Sequence, residues 1–186
     1  SLLEKKLHKV TSGYYNDSDP TFDPGGKYLY FKTDRRLQPI YSSLDGTWIY
    51  PNTTQLAYGS LDPAVKGLLA VKNDEVKTTG DSPAVEKPSP ATAAKPTTAE
   101  KPAAKPLTII PENFETRVQV LPVPAGNYGI LAAIEGKLLY TRFPNTGTTG
   151  EQPSIYIYDT DKREEKKVLG GSANFSISPD GKSILV

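Results

Sequence analysis

A hairpin phrase that recurs near both ends of the chain constrains its fold more than any other feature. Residues 22–30 read Phe-Asp-Pro-Gly-Gly-Lys-Tyr-Leu-Tyr, and residues 177–185 read Ile-Ser-Pro-Asp-Gly-Lys-Ser-Ile-Leu, with one proline, one glycine and the lysine at matching positions. Proline fixes φ and glycine takes positive φ readily, so each copy predicts a tight turn between antiparallel strands. A third copy at 132–140 lacks the proline but keeps Gly-Lys-Leu-Leu-Tyr.

The residues between the last two copies predict further strands. Residues 154–158 read Ser-Ile-Tyr-Ile-Tyr, and residues 165–169 follow a polar turn at 159–163. Four short strands in roughly 40 to 50 residues are typical of one blade of a β-propeller. Apolar residues at helical spacing are almost absent from the chain. We therefore expect an all-β fragment made of four-stranded antiparallel propeller blades.

The middle of the chain has a different composition. Residues 81–106 are rich in proline, alanine and lysine, and no aromatic residue occurs between Tyr58 and Phe114. Such a segment buries too little apolar surface to fold and favours extended conformations, so it predicts a disordered, solvated insertion. We expect a propeller blade at 1–79, a flexible Pro-rich linker or inter-blade insertion at 80–106, and further blade structure at 107–186, cut at its C-terminal end.

Composition excludes several classes of function. The chain has 22 basic and 21 acidic residues and no basic run longer than two, which argues against a nucleic-acid partner. Its apolar runs fall well short of the roughly 18 residues that a membrane helix needs. It has no cysteine, which excludes disulfides and thiol catalysis. Because it has no methionine and no signal-peptide pattern at 1–8, we expect the native N-terminus to be absent.

Common catalytic and metal-binding patterns do not fit the sequence. His8 is the only histidine, in an expected edge strand at 5–11, and no Gly-x-Ser-x-Gly elbow occurs, so we predict no catalytic residue here. The spacing of Asp17, Asp19 and Asp23 does not match a calcium loop, and aspartates favour turns. We therefore predict no metal and no cofactor. A second acidic cluster, in which acids alternate with lysines and an arginine, predicts a solvated hairpin tip: Asp159, Asp161, Glu164 and Glu165.

The connection at 34–52 is the part of the chain that invites a functional hypothesis. It is too long for a plain hairpin, and propeller loops of this kind are exposed at one face, where binding usually occurs. Guanidinium groups pair with peptide carboxylates and aromatic rings offer contact area. The candidate substrate or interface residues are Arg35, Arg36, Tyr41, Trp48 and Tyr50. The alternative is that Trp48 and Tyr50 pack the loop back onto its own blade.

The hairpin phrases resemble the blade signature of TolB-type propellers. Longer stretches, such as 14–20, 48–54 and 121–129, resemble the propeller region of bacterial tricorn-like serine proteases, peptidases of the S41 class. That family is known for a six-bladed and a seven-bladed propeller ahead of a helical, a PDZ and a catalytic domain. The resemblance implies that this piece lies in the second propeller, near its C-terminal end, and that the nucleophile and its partners lie in the other half of the parent.

The resemblance implies a non-catalytic role within a serine endopeptidase. The expected partners are a peptide or unfolded polypeptide substrate and further copies of the same protein, in a periplasmic or extracytoplasmic rather than cytoplasmic location. The alternatives are a TolB-like binding propeller without protease activity and a purely structural scaffold. Because about two blades cannot close a ring and leave unpaired edge strands, we expect the fragment either to pair with other chains or to lie inside a larger assembly.

Overall fold

The computed structural model describes residues 6–36, 40–41, 48–49, 52–71 and 108–186, with only the backbone at 40, 41, 48 and 49. Apart from Val71, these residues belong to one compact unit, Ser1–Ala70 with Thr108–Val186; Val71–Leu107 is a second unit. The only helix among the described residues is a short 3-10 helix, Phe114–Arg117. The strands are β1 Ser18–Phe22, β2 Tyr28–Thr33, β3 Ile40–Tyr41, β4 Trp48–Ile49, β5 Gln55–Ser60, β6 Val118–Val120, β7 Asn127–Ile134, β8 Lys137–Phe143, β9 Ser154–Asp159, β10 Glu164–Gly170, β11 Ser176–Ile177 and β12 Ile184–Leu185.

Two four-stranded antiparallel sheets dominate the compact unit. The first has the order β1-β2-β5-β6 and the second the order β10-β9-β8-β7. Two-stranded sheets are formed by β3 with β4 and by β11 with β12. This architecture matches a β-propeller fragment and confirms the all-β fold class expected from the sequence.

The Pro-rich segment interrupts the first sheet. Strand β6 follows that segment in the chain and pairs with β5, which precedes it; Val120 lies opposite Ala57 and Val118 opposite Gly59. Residues 118–120 therefore complete the first blade, whereas the expected division placed them in a further blade. The difference arises because β6 has only three residues, too few for a recognisable strand pattern.

All three copies of the hairpin phrase form a turn with glycine at the same φ, although the middle copy is a tighter hairpin in which Ile134 lies opposite Lys137. Gly26, Gly136 and Gly181 have φ values of 67°, 69° and 69°, in the left-handed region that glycine enters without steric cost. The turns join β1 to β2, β7 to β8 and β11 to β12. The phrase therefore marks the first hairpin of each sheet in which it occurs.

The two large sheets pack face to face through tyrosine side chains. Alternation along β2 sends Tyr28 and Tyr30 to the face between the sheets, and Leu29 and Phe31 to the opposite face. Among the described residues, seven tyrosines lie in or against the cluster between the sheets. They are Tyr28, Tyr30, Tyr58, Tyr128, Tyr140, Tyr156 and Tyr158.

One edge of the sheet pair brings the two sheets close together. Strand β1 lies against β7. Lys32 forms an ion pair with Asp19 at 2.7 Å and donates to the carbonyl oxygen of Tyr128 at 3.0 Å, which ties the first sheet to the second. We call β1 and β7 the inner edge, and β6 and β10 the outer edge.

The segment before β1 does not form the expected edge strand. Residues 6–11 have no strand structure, because no described strand pairs with them. Val10 nevertheless packs against the face of the first sheet that carries Phe31 and Phe114. This segment therefore covers part of that face.

Candidate functional site

The guanidinium group of Arg35 is held by carboxylates of its own chain. It lies 2.7 Å from Asp17 Oδ2 and 3.0 Å from Glu115 Oε1, and its side chain is only 12% exposed. The ring of Tyr15 lies 4.6 Å from the guanidinium carbon. Arg35 thus joins the segment before β1, the end of β2 and the 3-10 helix.

Glu115 is the second centre of this network. Its carboxylate accepts hydrogen bonds from the N–H and the hydroxyl of Ser12, at 2.9 and 3.0 Å. Desolvation disfavours the ionised form, but the Ser12 N–H and the Arg35 guanidinium outweigh it and hold the Glu115 pKa below its ordinary value. The network is therefore an ionised, hydrogen-bonded staple that holds the N-terminal segment on the first sheet.

Arg36 differs from its neighbour because its side chain is exposed. Its backbone is fixed by the buried side chain of Gln55, which accepts from the Arg36 N–H at 3.0 Å and donates to the Arg36 carbonyl at 2.5 Å. Gln55 is 2% exposed and acts as a clamp at the base of the 34–52 loop. The side chain of Arg36 is thus exposed, while its backbone is hydrogen-bonded to a buried residue.

The aromatic candidates are only partly described. Tyr41 and Trp48 lie directly opposite each other in the β3–β4 hairpin, which places their backbones in register. Their side chains and the whole of Tyr50 lie outside the described residues. Whether this loop contacts substrate or packs on its own blade stays a prediction.

A shallow depression surrounds the outer side of β6. Its lining combines both candidate arginines with the strand and with one leucine from the segment after β5: Arg35, Arg36, Leu69, Val118, Gln119 and Val120. Gln119 accepts a 2.5 Å hydrogen bond from the Tyr58 hydroxyl on the face between the sheets. The depression therefore brings Arg35 and Arg36 beside an edge strand that the sequence did not reveal.

The inner edge carries a second feature that sequence reasoning missed. Both inner strands have a β-bulge at equivalent places, between Ser18 and Thr21 in β1 and between Tyr128 and Leu131 in β7. Bulges redirect side chains and are over-represented near functional sites. Asp19, with φ of 52° and a side chain 57% exposed, and Ile130, 40% exposed, lie at these bulges.

A family comparison decides the class of the chain. The family model described as the tricorn protease second beta propeller domain matches residues 2–186. The chain belongs to this family. Because the match extends over both four-stranded sheets and the Pro-rich segment, that segment separates β5 from β6 within one blade of a tricorn second propeller.

Known tricorn proteins are distant relatives. The chain is 24% identical over 189 residues to the "Putative tricorn protease homolog 2" of Streptomyces coelicolor, covering 95% of the chain and 15% of the relative. It is also 24% identical over 189 residues to the "Tricorn protease homolog" of Saccharolobus solfataricus, covering 99% of the chain and 15% of the relative. The chain therefore spans about 15% of the length of these curated relatives.

A solved structure supports the fold. The structure described as "Crystal structure of the tricorn protease" superposes on 98% of this chain and 16% of that chain, with a TM-score of 0.69 and 18% sequence identity. At this identity the likeness shows the fold alone. The described part of the chain contains no helix that is long and apolar enough to cross a membrane.

The aspartates Asp17 and Asp23 have structural partners in this tricorn propeller segment. Asp17 accepts from the Thr33 hydroxyl at 2.7 Å, and Asp23 accepts from the Lys27 N–H at 3.2 Å in the first hairpin turn. His8 is partly buried in the segment before β1. In the described ranges no group of three or more His, Cys, Asp or Glu side chains is arranged to hold a metal ion.

Glu165 does not lie at a solvated hairpin tip, as its place in the second acidic cluster predicted. Its carboxylate is 2.7 Å from Arg142 Nη2 and accepts from the buried Tyr140 hydroxyl, and its side chain is 21% exposed. Arg142 also lies over the ring of Tyr156, at 4.0 Å from its centroid. Burial, together with the bond to Glu165, raises the Tyr140 pKa far above its ordinary value. The alternating charges of this segment gave no sign that Glu165 forms an ion pair with Arg142 of another strand.

Proposed function

We propose that this segment guides extended peptides along the inner edge of a tricorn-type propeller and takes part in assembling a larger serine peptidase of the S41 class. The segment itself supplies no catalytic group in this proposal. Blades of a propeller surround a central channel, and neighbouring sheets converge toward it. The convergence of β1 and β7 is therefore the observation that carries the proposal.

The inner bulges provide the contacts for such a role. Ile130 offers an apolar surface beside Gly129, while Asp19 offers a carboxylate that is already balanced by Lys32. A mixture of a small apolar contact and a paired charge favours passage of varied sequences over tight binding of one. Weak, unspecific contact is what a guiding surface requires.

Arg36 is a candidate peptide contact apart from the inner edge, because it lies beside β6 at the outer edge of the first sheet. Its exposed guanidinium is able to pair with acidic side chains or with the carboxylate at a peptide end, whereas that of Arg35 already holds Asp17 and Glu115. The two arginines therefore call for separate variants. Location outside the cytoplasm and assembly with further copies are part of the proposal and rest on family resemblance.

Two bulge residues in one sheet give a matched test. Ile130 lies in the bulge of inner strand β7, and Val168, 47% exposed, lies in the bulge of outer strand β10. In the full-length parent, Ile130→Trp should slow turnover of long unfolded polypeptides several-fold and leave short-peptide turnover unchanged. Val168→Trp should change neither. Equal effects of the two variants on long substrates would contradict guidance along the inner edge.

A further inference from the structure

We infer that the outer edge of β6 is a binding site for an extended peptide, which adds to the first sheet as a fifth strand. The Leu121 N–H donates to the Leu56 carbonyl at 2.8 Å, which identifies this pair as hydrogen-bonded. Because paired and unpaired positions alternate in an antiparallel ladder, the backbone groups of Val118 and Val120 point away from β5. They form the free side of the strand.

Val118 and Val120 together present two N–H and two carbonyl groups on this side, and one of the four is already bonded within the described residues. The Val118 N–H is bonded to the Glu115 carbonyl in the turn before the strand. The Val118 carbonyl and both backbone groups of Val120 have no hydrogen-bond partner within the described part of the chain. An added strand satisfies such groups through main-chain hydrogen bonds, which is how β-strand addition generates affinity.

The depression around β6 gives the added strand walls on both faces of the sheet. Leu69 lines it from the face between the sheets, where its N–H is bound to the Tyr58 hydroxyl at 3.1 Å. Arg35 lines it from the opposite face, beside Phe31. A peptide bound here forms main-chain hydrogen bonds with Val120, and its side chains alternate between the Leu69 face and the Arg35 face.

The charge of the depression favours an acidic peptide. The described residues of its lining include Arg35 and Arg36 and no carboxylate. Arg35 is neutralised by Asp17 and Glu115, which leaves the exposed Arg36 as the cation available to a partner. We therefore assign the site to an extended segment that carries a glutamate or aspartate.

A second copy of the chain fits the edge less well. Strand β6 has only three residues, so pairing of two such strands forms few hydrogen bonds. An antiparallel pair of copies also brings the two Arg36 side chains to the same interface, where like charges repel. The inference does not rest on the proposed function, because β6 lies at the opposite edge of its sheet from β1.

Hydrogen exchange at one amide tests the site directly. The probe is a capped hexapeptide of alternating threonine and valine with one internal glutamate. At saturating peptide, exchange of the Val120 amide should slow about tenfold or more, while the Gln119 amide, which faces β5, should not change. An unchanged Val120 amide, or protection that appears without peptide and rises with protein concentration, would overturn the assignment.

Affinity measurements separate the backbone and charge contributions. Val120→Pro removes an N–H that the sheet does not use and should weaken binding about tenfold, as should N-methylation of the peptide at alternate residues. Arg36→Glu should weaken binding of the glutamate peptide and strengthen that of its lysine counterpart. Lys162→Glu, at an exposed turn of the other sheet, controls for net charge. If the N-methylated peptide binds as well as the parent peptide, strand addition is wrong whatever the variants do.

Discussion

The guanidinium of Arg163 donates to the carbonyl oxygen of Leu68 at 3.0 Å. Arg163 belongs to the turn between β9 and β10 of the second sheet, and Leu68 to the segment that follows β5 of the first. The same nitrogen also donates to the Ala70 carbonyl. Arg163 has a φ of 59°, in a region that arginine rarely adopts, and the Asp159 carbonyl accepts its N–H at 2.8 Å. The turn is thus held in a strained form that reaches across the two sheets.

Replacing Arg163 should loosen the segment after β5. Asparagine tolerates the left-handed backbone but is too short to reach Leu68, so Arg163→Asn should cost about 1 to 3 kcal/mol. Exchange of the Leu69 amide should accelerate, since its segment loses two anchors. Lys162→Asn, at the preceding exposed position, should leave that exchange unchanged. Identical Leu69 exchange in both variants would show that Arg163 does not hold the segment.

Two buried tyrosines of the same cluster should respond differently to loss of the hydroxyl. Tyr140 donates to Glu165, whereas the buried Tyr158 hydroxyl has no hydrogen-bond partner among the described residues. Tyr140→Phe should cost about 1 to 3 kcal/mol of unfolding free energy, because it leaves a partly buried carboxylate short of a donor. Tyr158→Phe should be neutral or stabilising by less than about 1 kcal/mol. Urea unfolding of both variants measures the difference, and equal losses would contradict the assigned partners.

The ring of Phe114 leaves no room for a side chain at position 59, which is a glycine. A Cβ atom at position 59 would lie 2.5 Å from Phe114 Cζ, and that ring is 2% exposed. Gly59→Ala should therefore destabilise the first sheet by about 1 to 3 kcal/mol through overpacking. A Cβ atom at position 126 would lie 3.5 Å from its nearest neighbour, Arg142 Cδ, which is an ordinary contact. Gly126→Ala is therefore the matched control. A smaller loss for Gly59→Ala than for Gly126→Ala in thermal unfolding would refute this packing.

The staple of Arg35 and Glu115 should make stability depend on pH in the acid range. The folded-state pKa of Glu115 lies below its ordinary value of 4.5, so its contribution is complete above that value and is lost as pH falls through the folded pKa. The stability difference between the native chain and Glu115→Gln should therefore be constant near neutrality and shrink below about pH 4.5. Glu164→Gln, at an exposed strand position, controls for loss of a surface carboxylate. A difference that grows on acidification would reverse the assigned sign.

The hairpin turns could be predicted from neighbouring residues alone, whereas much of the candidate site depends on contacts between residues distant in sequence. A proline and a glycine at fixed spacing determine a turn without reference to the rest of the chain, which is why the turns at Gly26 and Gly181 follow from sequence. The partners of Arg35 lie 18 and 80 residues away, at Asp17 and Glu115. No local pattern distinguishes such an arginine from an exposed one.

Strand β6 was hidden for a related reason. Its three residues form a strand only by pairing with β5, and the intervening Pro-rich segment separates the two strands in sequence. The inner bulges likewise depend on register, since one extra residue in β1 or β7 is visible only against the partner strand. Both proposed contact surfaces therefore depend on strand pairing in the folded chain, which local sequence patterns do not show.

Photo-crosslinking during turnover tests the guiding role most directly. In the full-length parent, a benzophenone amino acid replaces either Ile130 at the inner edge or Val168 at the outer edge, and a labelled unfolded polypeptide is added as substrate. Guidance along the inner edge predicts substrate crosslinks from position 130 and few or none from position 168. Crosslinks from position 168 that equal or exceed those from position 130 would contradict the account.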